Sequence, residues 1–242
     1  MKTTGGTDDQ KRRAGESAAE AVTDGAVVGL GTGSTAAFAI RAIGRMVDSG
    51  LDVRGVPTSF ASRELAREQS IPLVDLEEVV GGDEPGIDLA IDGADQVVID
   101  EGGAEEDVGA MIKGGGAAHA REKVVDAAAD RLLVVADPSK EATTLDSAVP
   151  VEVLPDARAT VAREIRAAGG EPTLRRAQRK DGPVVTDNGN LVLDCSFGAI
   201  DDPASLARTI ATVPGVLEHG LFVGLADEVH VGTDDGVRVI ES

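Results

Sequence analysis

Short apolar runs alternate with amphipathic stretches along the first 146 residues of the chain. The runs with the length and composition of buried strands lie at residues 26–31, 53–57, 71–76, 87–92 and 131–137. Between them, apolar positions recur at spacings of three and four, which predicts helices at residues 8–23, 35–47, 59–69 and 117–130. Strands and helices that alternate across short turns build right-handed βαβ units around a parallel sheet.

One segment of this first part departs from the alternation. Residues 97–111 begin as an apolar strand and then become acidic and rich in glycine. Charged and glycine-rich stretches favour loops over strands. We therefore expect the strand to end near residue 100 and a solvated loop to cover residues 100–109.

After Pro150 the pattern becomes strand, helix, two strands, helix, strand. The predicted elements lie at residues 151–155, 157–169, 172–177, 184–197, 204–213 and 215–223. The sequence DNGN at residues 187–190, between two alternating runs, indicates a hairpin turn. This order is that of a split βαβ, ferredoxin-like unit. Two last strands, at residues 227–233 and 236–241, predict a terminal hairpin that returns to the first sheet.

The charge of the chain limits its partners. It has 43 Asp and Glu against 23 Lys and Arg, a net charge of −20. A nucleic-acid-binding protein needs a basic face to displace counterions, and the basic runs here are short, so we expect no nucleic-acid partner. An acidic surface is also typical of proteins adapted to high salt, a hypothesis that thermal stability in low and molar salt would test. An ordinary acidic soluble protein is the alternative.

The sequence also predicts a compartment. No run approaches the roughly 18 consecutive apolar residues of a membrane span, and no apolar stretch follows the charges near the start. We therefore expect no membrane partner and a cytoplasmic protein. Cys195 stands alone, which excludes an internal disulfide bond and disfavours a thiolate metal site.

The first candidate site is the glycine-rich turn GLGTGST at residues 29–35, between the first strand and its helix. Glycines let backbone N–H groups approach an anion, and hydroxyls and a helix N-terminus add donors. We interpret the turn as a phosphate loop for a sugar phosphate or nucleotide, with a plain turn as the alternative. A nicotinamide cofactor is disfavoured, because the second strand ends in VPTS (56–59) without an acidic residue for the ribose.

The second candidate site is a pair of carboxylates, Asp92 and Asp95, at the end of the strand over residues 87–92. Open α/β sheets bind their ligands at the carboxyl ends of parallel strands. The pair could hold sugar hydroxyls, bind a metal ion or form a solvated turn, and the lack of a nearby third ligand disfavours the metal. Asp88 is expected to face solvent or a turn, and His219 and His230 to be ordinary surface or edge residues.

The third candidate site is KGGGAAHAREK at residues 113–123, where Lys113 precedes three glycines at a helix start. A triple glycine costs conformational entropy, which indicates a need for bare backbone there. A negative oxygen at this point would meet an ammonium group, free N–H groups and the positive end of the helix dipole. Glu122 could act as a base towards a carbon acid, or simply pair with a surface cation one turn away. The turn DPSK (137–140) adds a cation at the end of another strand.

Together these segments resemble type A ribose-5-phosphate isomerase. The matching segments, in the family's order, are GLGTGSTAAF (29–38), GVPTSFAS (55–62), DLAIDGAD (88–95), KGGGAAHAREK (113–123) and ADPSK (136–140). The likeness extends to the split βαβ unit and the terminal hairpin, so it spans nearly the whole chain. It implies an α/β fold in which a Rossmann-like parallel sheet domain, residues 1–146 completed by 224–242, carries an inserted ferredoxin-like (split β-α-β) α+β lid domain at residues 147–223.

The resemblance also implies a function. Family members interconvert D-ribose 5-phosphate and D-ribulose 5-phosphate through an enediolate, in the non-oxidative branch of the pentose phosphate pathway. They use no metal and no cofactor, and they are homo-oligomers, here a homodimer or homotetramer. One rival is a non-enzymatic sugar-phosphate-sensing domain, which would lack the pairing of Lys113 with Glu122. The other is a nucleotide-binding Rossmann enzyme, which would need an acidic residue after the second strand to bind the ribose, and this residue is missing.

Carried over by motif, the resemblance implies roles for individual residues. Glu122 matches the general base, and an ordinary glutamate is ionised near pH 7 without help. Lys113 and the glycine N–H groups would stabilise the enediolate oxygens, and Asp92 would help to open the furanose ring. The residues implied to bind substrate are Thr32, Gly33, Ser34, Thr35, Asp92, Gly93, Ala94, Asp95, Lys113, Gly114, Gly115, Gly116, Lys140 and, by its offset from the glycine loop, Lys11.

Three features depart from the family's usual pattern. Asp95 and Lys113 stand 18 positions apart (113 − 95 = 18), which we interpret as an acidic insertion around residues 100–109. Gln96 occupies a position where glutamate is usual. His119 replaces an apolar residue, and we expect it to lie close enough to Glu122 to alter the pKa of that carboxyl group.

Overall fold

A computed structural model describes residues 5–81, 86–100, 107–179 and 181–242. The helices, in chain order, are α1 (Asp8–Ala19), α2 (Ala36–Asp48), α3 (Phe60–Glu68), α4 (Leu76–Val80), α5 (His119–Asp126), α6 (Arg158–Ala167) and α7 (Pro203–Ala211). The strands are β1 (Ala26–Leu30), β2 (Val53–Pro57), β3 (Leu89–Gly93), β4 (Gln96–Asp100), β5 (Asp107–Ile112), β6 (Leu132–Ala136), β7 (Glu141–Ala142), β8 (Val149–Val153), β9 (Glu171–Leu174), β10 (Leu191–Ser196), β11 (Val216–His219), β12 (Leu221–Val223), β13 (Glu228–Gly232) and β14 (Val237–Glu241).

The main sheet has six strands in the order β14–β13–β6–β3–β1–β2. All neighbours in it pair in parallel except β13 and β14, which form the terminal hairpin. Every residue of β1 is buried, as expected for a parallel strand covered on both faces. Val28 and Leu30 face the core under α1 and α2, whereas Val27 faces Val125 of α5. The predicted Rossmann-like sheet and the return of the hairpin are confirmed.

A second sheet is antiparallel, with the order β11–β8–β10–β9, and packs against α6 and α7. The strand order and the intervening helices are those of the predicted ferredoxin-like unit, so this prediction is also confirmed. We call this sheet and its two helices the lid. One arm of the predicted hairpin is shorter than expected, because Val185 makes only an isolated bridge to Leu191.

A third sheet, with the order β12–β5–β4–β7, corrects the expectation of a loop at residues 100–109. Residues 107–112 form β5, which pairs with both β4 and β12. Two partner strands satisfy the backbone of this segment, so its glycine and acidic residues do not prevent a strand. Residues 101–106 lie outside the described residues.

Two other predicted strands were wrong in part. The segment 215–223 divides at Gly220, because β11 pairs with β8 in the lid while β12 pairs with β5 in the third sheet. In the segment 71–76, Leu73 makes a single bridge to Gly55, and α4 begins at Leu76. Across the described parts of the chain, no helix combines the length and the apolar character needed to cross a membrane.

Candidate active site

The candidate site is a cleft of about 400 Å³ at the carboxyl edge of the main sheet. The strands β1, β3 and β6 lie side by side there, so the turns that follow them converge. The residues that line the cleft are Lys11, Thr32, Gly33, Ser34, Thr35, Ala61, Gly93, Ala94, Asp95, Lys113, Gly114, Gly115, Gly116, Glu122 and Lys140. The structure therefore brings together all of the residues predicted to bind substrate except Asp92, which lies fully buried beneath the cleft.

Residues 31–35, the first glycine loop, leave β1 and lead into α2. Gly31 is required by close packing, because a Cβ atom there would lie 2.3 Å from Oδ1 of Asp92. That same oxygen accepts the N–H of Thr32 at 2.9 Å. Gly33 and Ser34 are exposed at the cleft and present their backbone and hydroxyl groups to it.

The side chain of Lys113 is buried between two carboxylates. Its Nζ lies 2.8 Å from Oδ2 of Asp92 and 3.4 Å from Oε2 of Glu122. It also donates to the carbonyl oxygen of Gly93 at 2.5 Å, and the centroid of the Phe222 ring lies 5.3 Å away. Neither the lysine nor either carboxylate is more than 4% exposed, so water screens these charges little.

The charges in this cluster change the protonation of Glu122. Burial alone would lower the pKa of Lys113, but the neighbouring carboxylates outweigh it and the pKa lies above its ordinary value. Burial, opposed by Lys113 and assisted by the charges of Asp92 and Asp95, raises the pKa of Glu122 to about 8. Glu122 therefore differs from an ordinary glutamate, because the fold removes its carboxyl group from water and so raises its pKa. A pKa near neutrality suits a group that both takes and returns a proton.

Residues 113–117, the second glycine loop, lead from β5 into α5. The N–H of Gly115 donates to Oδ2 of Asp95 at 2.6 Å. Gly114 has φ +101° and packs against the ring of His119, where a Cβ atom would lie 2.7 Å from Nδ1. The loop is anchored behind by Gly220, whose carbonyl oxygen accepts the N–H of Lys113 at 2.9 Å.

Two further lysines, besides Lys113, line the cleft. Lys140 closes a 3-10 turn, Pro138–Lys140, that follows β6, and Asp137 caps this turn by accepting the N–H of Ser139 at 3.0 Å. Lys11 projects from α1 and lines the same cleft. The cleft thus combines three lysines and two glycine loops with the carboxyl group of Glu122.

Several predictions about polar residues outside the cleft are corrected by the structure. Burial lowers the pKa of His119 to about 3, so its ring carries no charge with which to shift Glu122, and it faces the carbonyl oxygen of Glu218 instead. His219 and His230 are each 5% exposed and hence buried. His219 does lie on an edge strand, β11, whereas His230 lies on β13, inside the main sheet. Gln96 is structural, since its amide bonds Asp146 through both its oxygen and its nitrogen.

Asp126 was missed in the sequence. It lies one helical turn after Glu122 on α5, is 2% exposed, and as a carboxylate has no hydrogen-bond partner for either oxygen. Burial and the charge of Asp92 raise the pKa of Asp126 well above its ordinary value. The spacing of four from Glu122 could have indicated that both side chains share a face of the helix.

Comparisons with known proteins identify the family of the chain. The sequence model of the family described as ribose 5-phosphate isomerase A (phosphoriboisomerase A) matches residues 54–236. A curated relative from Halorubrum lacusprofundi, named ribose-5-phosphate isomerase A, is 74% identical over 239 residues, which cover 99% of this chain and 99% of the relative.

Two solved structures share the fold. Ribose 5-phosphate isomerase A from Methanocaldococcus jannaschii has a TM-score of 0.89 and 42% identity, over 98% of this chain and 100% of that one. A D-ribose-5-phosphate isomerase in complex with phospho-erythronic acid has a TM-score of 0.90 and 38% identity, also over 98% and 100% of the two chains. The likeness therefore covers the main sheet and the lid together.

Proposed function

The chain belongs to the ribose 5-phosphate isomerase A family, and from this premise we propose that it interconverts D-ribose 5-phosphate and D-ribulose 5-phosphate with Glu122 as the general base. The observation that carries this proposal is the contact of Lys113 with Glu122 at the second glycine loop, 3.4 Å between Nζ and Oε2. A sugar-phosphate-sensing domain has no need of such a pair. A nucleotide-binding enzyme of this fold would need an acidic residue after the second strand to bind the ribose, and the sequence has none there.

The reaction moves one proton between two carbons. Glu122 takes the proton from C2 of the open-chain aldose, and the electron pair moves to the carbonyl oxygen at C1, giving an enediolate. The protonated Glu122 then returns the proton to C1 while the hydroxyl proton on O2 passes to O1, which leaves a ketone at C2. A positioned base contributes roughly 10²–10⁴-fold to such a step.

The second glycine loop is suited to stabilise the enediolate oxygens. Lys113 supplies a positive charge that its buried carboxylate partners keep in place. The loop adds N–H groups close to the start of α5, where the helix dipole is positive. Donors that are already oriented before the charge develops are the most effective ones.

The carboxylates divide into two roles. Asp95 lines the cleft and is placed to accept a sugar hydroxyl, in addition to the N–H of Gly115. Asp92 does not line it: Oδ1 accepts two backbone N–H groups, from Thr32 and Gly93, and Oδ2 faces Lys113. We therefore assign Asp92 to holding Lys113 and the first glycine loop, and Asp95 is better placed than Asp92 to assist ring opening.

The substrate phosphate is assigned to the first glycine loop and the two lysines beside it. Ser34 and Thr35 would donate to it, and Lys140 and Lys11 would supply charge. Thr32 shapes the loop instead, since its N–H bonds Asp92 and its hydroxyl bonds Ser59. A chain of net charge −20 repels an anionic ligand at long range, so binding has to come from such local donors. Salt that screens the repulsion is expected to be tolerated or to help.

The experiment that tests this proposal incubates the protein with ribose 5-phosphate and follows ketose formation, in parallel with Glu122→Gln and with Glu218→Gln. Glu218 pairs with Lys123 away from the cleft and serves as the matched control. We expect turnover by the wild type and by Glu218→Gln only. Binding of ribose 5-phosphate without conversion by the wild type would favour the sensing domain and contradict the proposal.

We also propose that the protein is a homodimer or homotetramer, from the family resemblance, and that it is cytoplasmic, from the sequence. No group of three His, Cys, Asp or Glu side chains within the described ranges is placed to hold a metal ion. The expectation of a reaction without metal or cofactor stays a prediction, and activity retained in the presence of a chelator would support it.

A further inference from the structure

One side chain of the lid reaches the second glycine loop. Arg175 follows β9, and its Nη1 donates to the carbonyl oxygens of Gly114 at 2.8 Å and Gly115 at 3.3 Å. The other nitrogens of the guanidinium group hold the carboxylate of Asp194, with Nε 3.0 Å from Oδ2 and Nη2 in contact with Oδ1. The two side chains are 11% and 23% exposed, so the pair is largely removed from solvent.

The fold holds Arg175 firmly at this place. Its N–H donates to the carbonyl oxygen of Val192 at 2.9 Å, and its own carbonyl oxygen accepts the N–H of Val184 at 3.0 Å. Asp194 belongs to β10, the central neighbour of β9 in the lid. Because the planar guanidinium group binds a carboxylate with two parallel donors, its orientation is set and Nη1 is left for the loop.

The contact helps to determine which way the loop's N–H groups point, together with the N–H of Ala117, which donates to the carbonyl oxygen of Gly114 at 3.0 Å. In a planar trans peptide, the C=O of one residue and the N–H of the next point in opposite directions. Drawing the carbonyl oxygens of Gly114 and Gly115 towards the lid therefore turns the N–H groups of Gly115 and Gly116 the other way. The first of these reaches Asp95, and the second belongs to a residue that lines the cleft and makes no hydrogen bond to another described residue.

A run of three glycines needs such a restraint. Glycine populates many backbone conformations, and ordering one costs more entropy than ordering any other residue. Because Gly115 and Gly116 have no side chains of their own, only contacts made to their backbone can fix them. The positive charge of Arg175 at the carbonyl end of these two peptides also strengthens the partial positive charge at their N–H ends.

We propose that Arg175, held by Asp194, is a positioning residue for the isomerisation: it fixes the second glycine loop so that the N–H of Gly116 faces the developing enediolate oxygen. This inference rests on the proposed function, since it assigns the loop to the enediolate. The alternative is a purely structural tie that joins the lid to the main sheet and has no effect on the reaction.

The test compares Arg175→Gln with Arg176→Gln, a matched control on the next, exposed residue, which forms no ion pair with a described residue. The assays are kcat and KM for ribose 5-phosphate, thermal unfolding, and binding of phospho-erythronic acid and of inorganic phosphate. Phospho-erythronic acid carries a carboxylate that resembles the enediolate in charge and planarity, whereas inorganic phosphate reports only on the phosphate end.

For Arg175→Gln we expect kcat to fall by about 10²-fold, because a displacement of about 1 Å at reacting groups has this effect. Phospho-erythronic acid should bind more weakly by a similar factor, while KM and inorganic phosphate binding change little. Arg176→Gln should match the wild type throughout. Arg175→Lys keeps the positive charge but cannot bind Asp194 and the loop at the same time in the same geometry. Its kcat should lie between those of the wild type and Arg175→Gln.

Three outcomes would overturn the inference. They are an unchanged kcat in Arg175→Gln, an unchanged affinity for phospho-erythronic acid, and an equal weakening of inorganic phosphate, which would indicate a general structural role. If Arg175→Gln does not fold, Asp194→Asn provides the test. Its kcat should fall, by a smaller factor than expected for Arg175→Gln, while its binding of inorganic phosphate should not change. A wild type that does not isomerise ribose 5-phosphate would refute the proposed function instead, and the two binding assays would still decide whether Arg175 orients the loop.

Discussion

The two glycine loops that meet at the cleft are held in different ways. In the first, residues 31–35, Gly33 and Ser34 are exposed, and the anchors lie at the start of the loop. The N–H of Thr32 donates to Asp92, and its hydroxyl bonds the hydroxyls of Thr58 and Ser59. In the second, residues 113–117, buried Lys113 and the N–H of Gly115 are bonded from inside, while Arg175 holds the carbonyl oxygens from the lid.

The difference corresponds to what each loop is proposed to bind. A phosphate group carries the same charge throughout the reaction, so adaptable donors on an exposed loop are sufficient to anchor it. An enediolate carries charge only at the transition state and the intermediate, and donors act best on it when their orientation is already fixed. One loop therefore resembles a binding site, and the other a preorganised catalytic site.

The sharpest way to break this comparison is to replace Lys113 with Met. We expect kcat to fall by roughly 10²–10³-fold, as for the loss of one oxyanion donor, with a small change in KM. Thermal stability should also fall, because Asp92 and Glu122 would be buried without their cation. Steady-state kinetics and thermal unfolding would measure both effects.

Lys123→Met is the matched control for this variant. Lys123 lies over the same Phe222 ring, at 4.7 Å, and pairs with Glu218 at 2.7 Å, but it does not line the cleft. It should lose stability and keep its kcat. If both variants lost kcat alike, the effect of Lys113 would be one of packing, and the catalytic assignment of the second loop would fail.

A change at the phosphate end should affect KM instead. Lys140→Met is expected to raise KM for ribose 5-phosphate by about tenfold or more, since a hydrogen bond to a charged group is worth about 1.5–3 kcal/mol. kcat should change little, because the phosphate is remote from C1 and C2. Ser34→Ala, which removes one neutral donor, should raise KM by only a few-fold and also leave kcat nearly unchanged. A fall in kcat without a rise in KM would contradict the division between the loops.

The pH dependence sharpens the description of the base. Glu122 has to be deprotonated to accept a proton, so kcat/KM should fall as the pH drops below about 8, where the raised pKa of Glu122 lies. The second ionisation of a phosphate group, near pH 6, lies well below this fall in kcat/KM. Asp95→Asn removes a negative charge that raises the pKa of Glu122, so the fall in kcat/KM should move to lower pH. If the fall occurred at the same pH in Asp95→Asn, Glu122 would be excluded as its source.

Much of the fold could be predicted from the sequence because local patterns of apolar residues and glycines determine it. The strand β1, the glycine loop after it and α2 follow from one apolar run, two glycines and a helical period. The strand β5 could not, because it begins in an acidic, glycine-rich segment and depends on two partner strands. Asp107 and Val108 pair with β4, and residues 110–112 pair with β12. The split at Gly220 likewise depends on two partner strands that are remote in sequence.

The residues of the candidate site could be predicted from the sequence, but the pKa of Glu122 could not. Motifs placed Lys113 and Glu122 together, but the raised pKa of Glu122 arises from burial, which depends on the whole fold. Arg175 appeared in the sequence only as part of a short basic run. Its partner Gly115 is 60 residues away, and no local pattern connects the two.

The central claim, that Glu122 moves the proton at C2, is tested most directly by isotope exchange. Ribose 5-phosphate is incubated in D₂O with the wild type or Glu122→Gln, and deuterium in the sugar is followed by NMR together with ketose formation. Glutamine keeps the shape of the side chain but has no basic oxygen, so we expect uptake and turnover by the wild type and neither by the variant, with substrate binding retained. Deuterium uptake by Glu122→Gln at the wild-type rate would contradict the account.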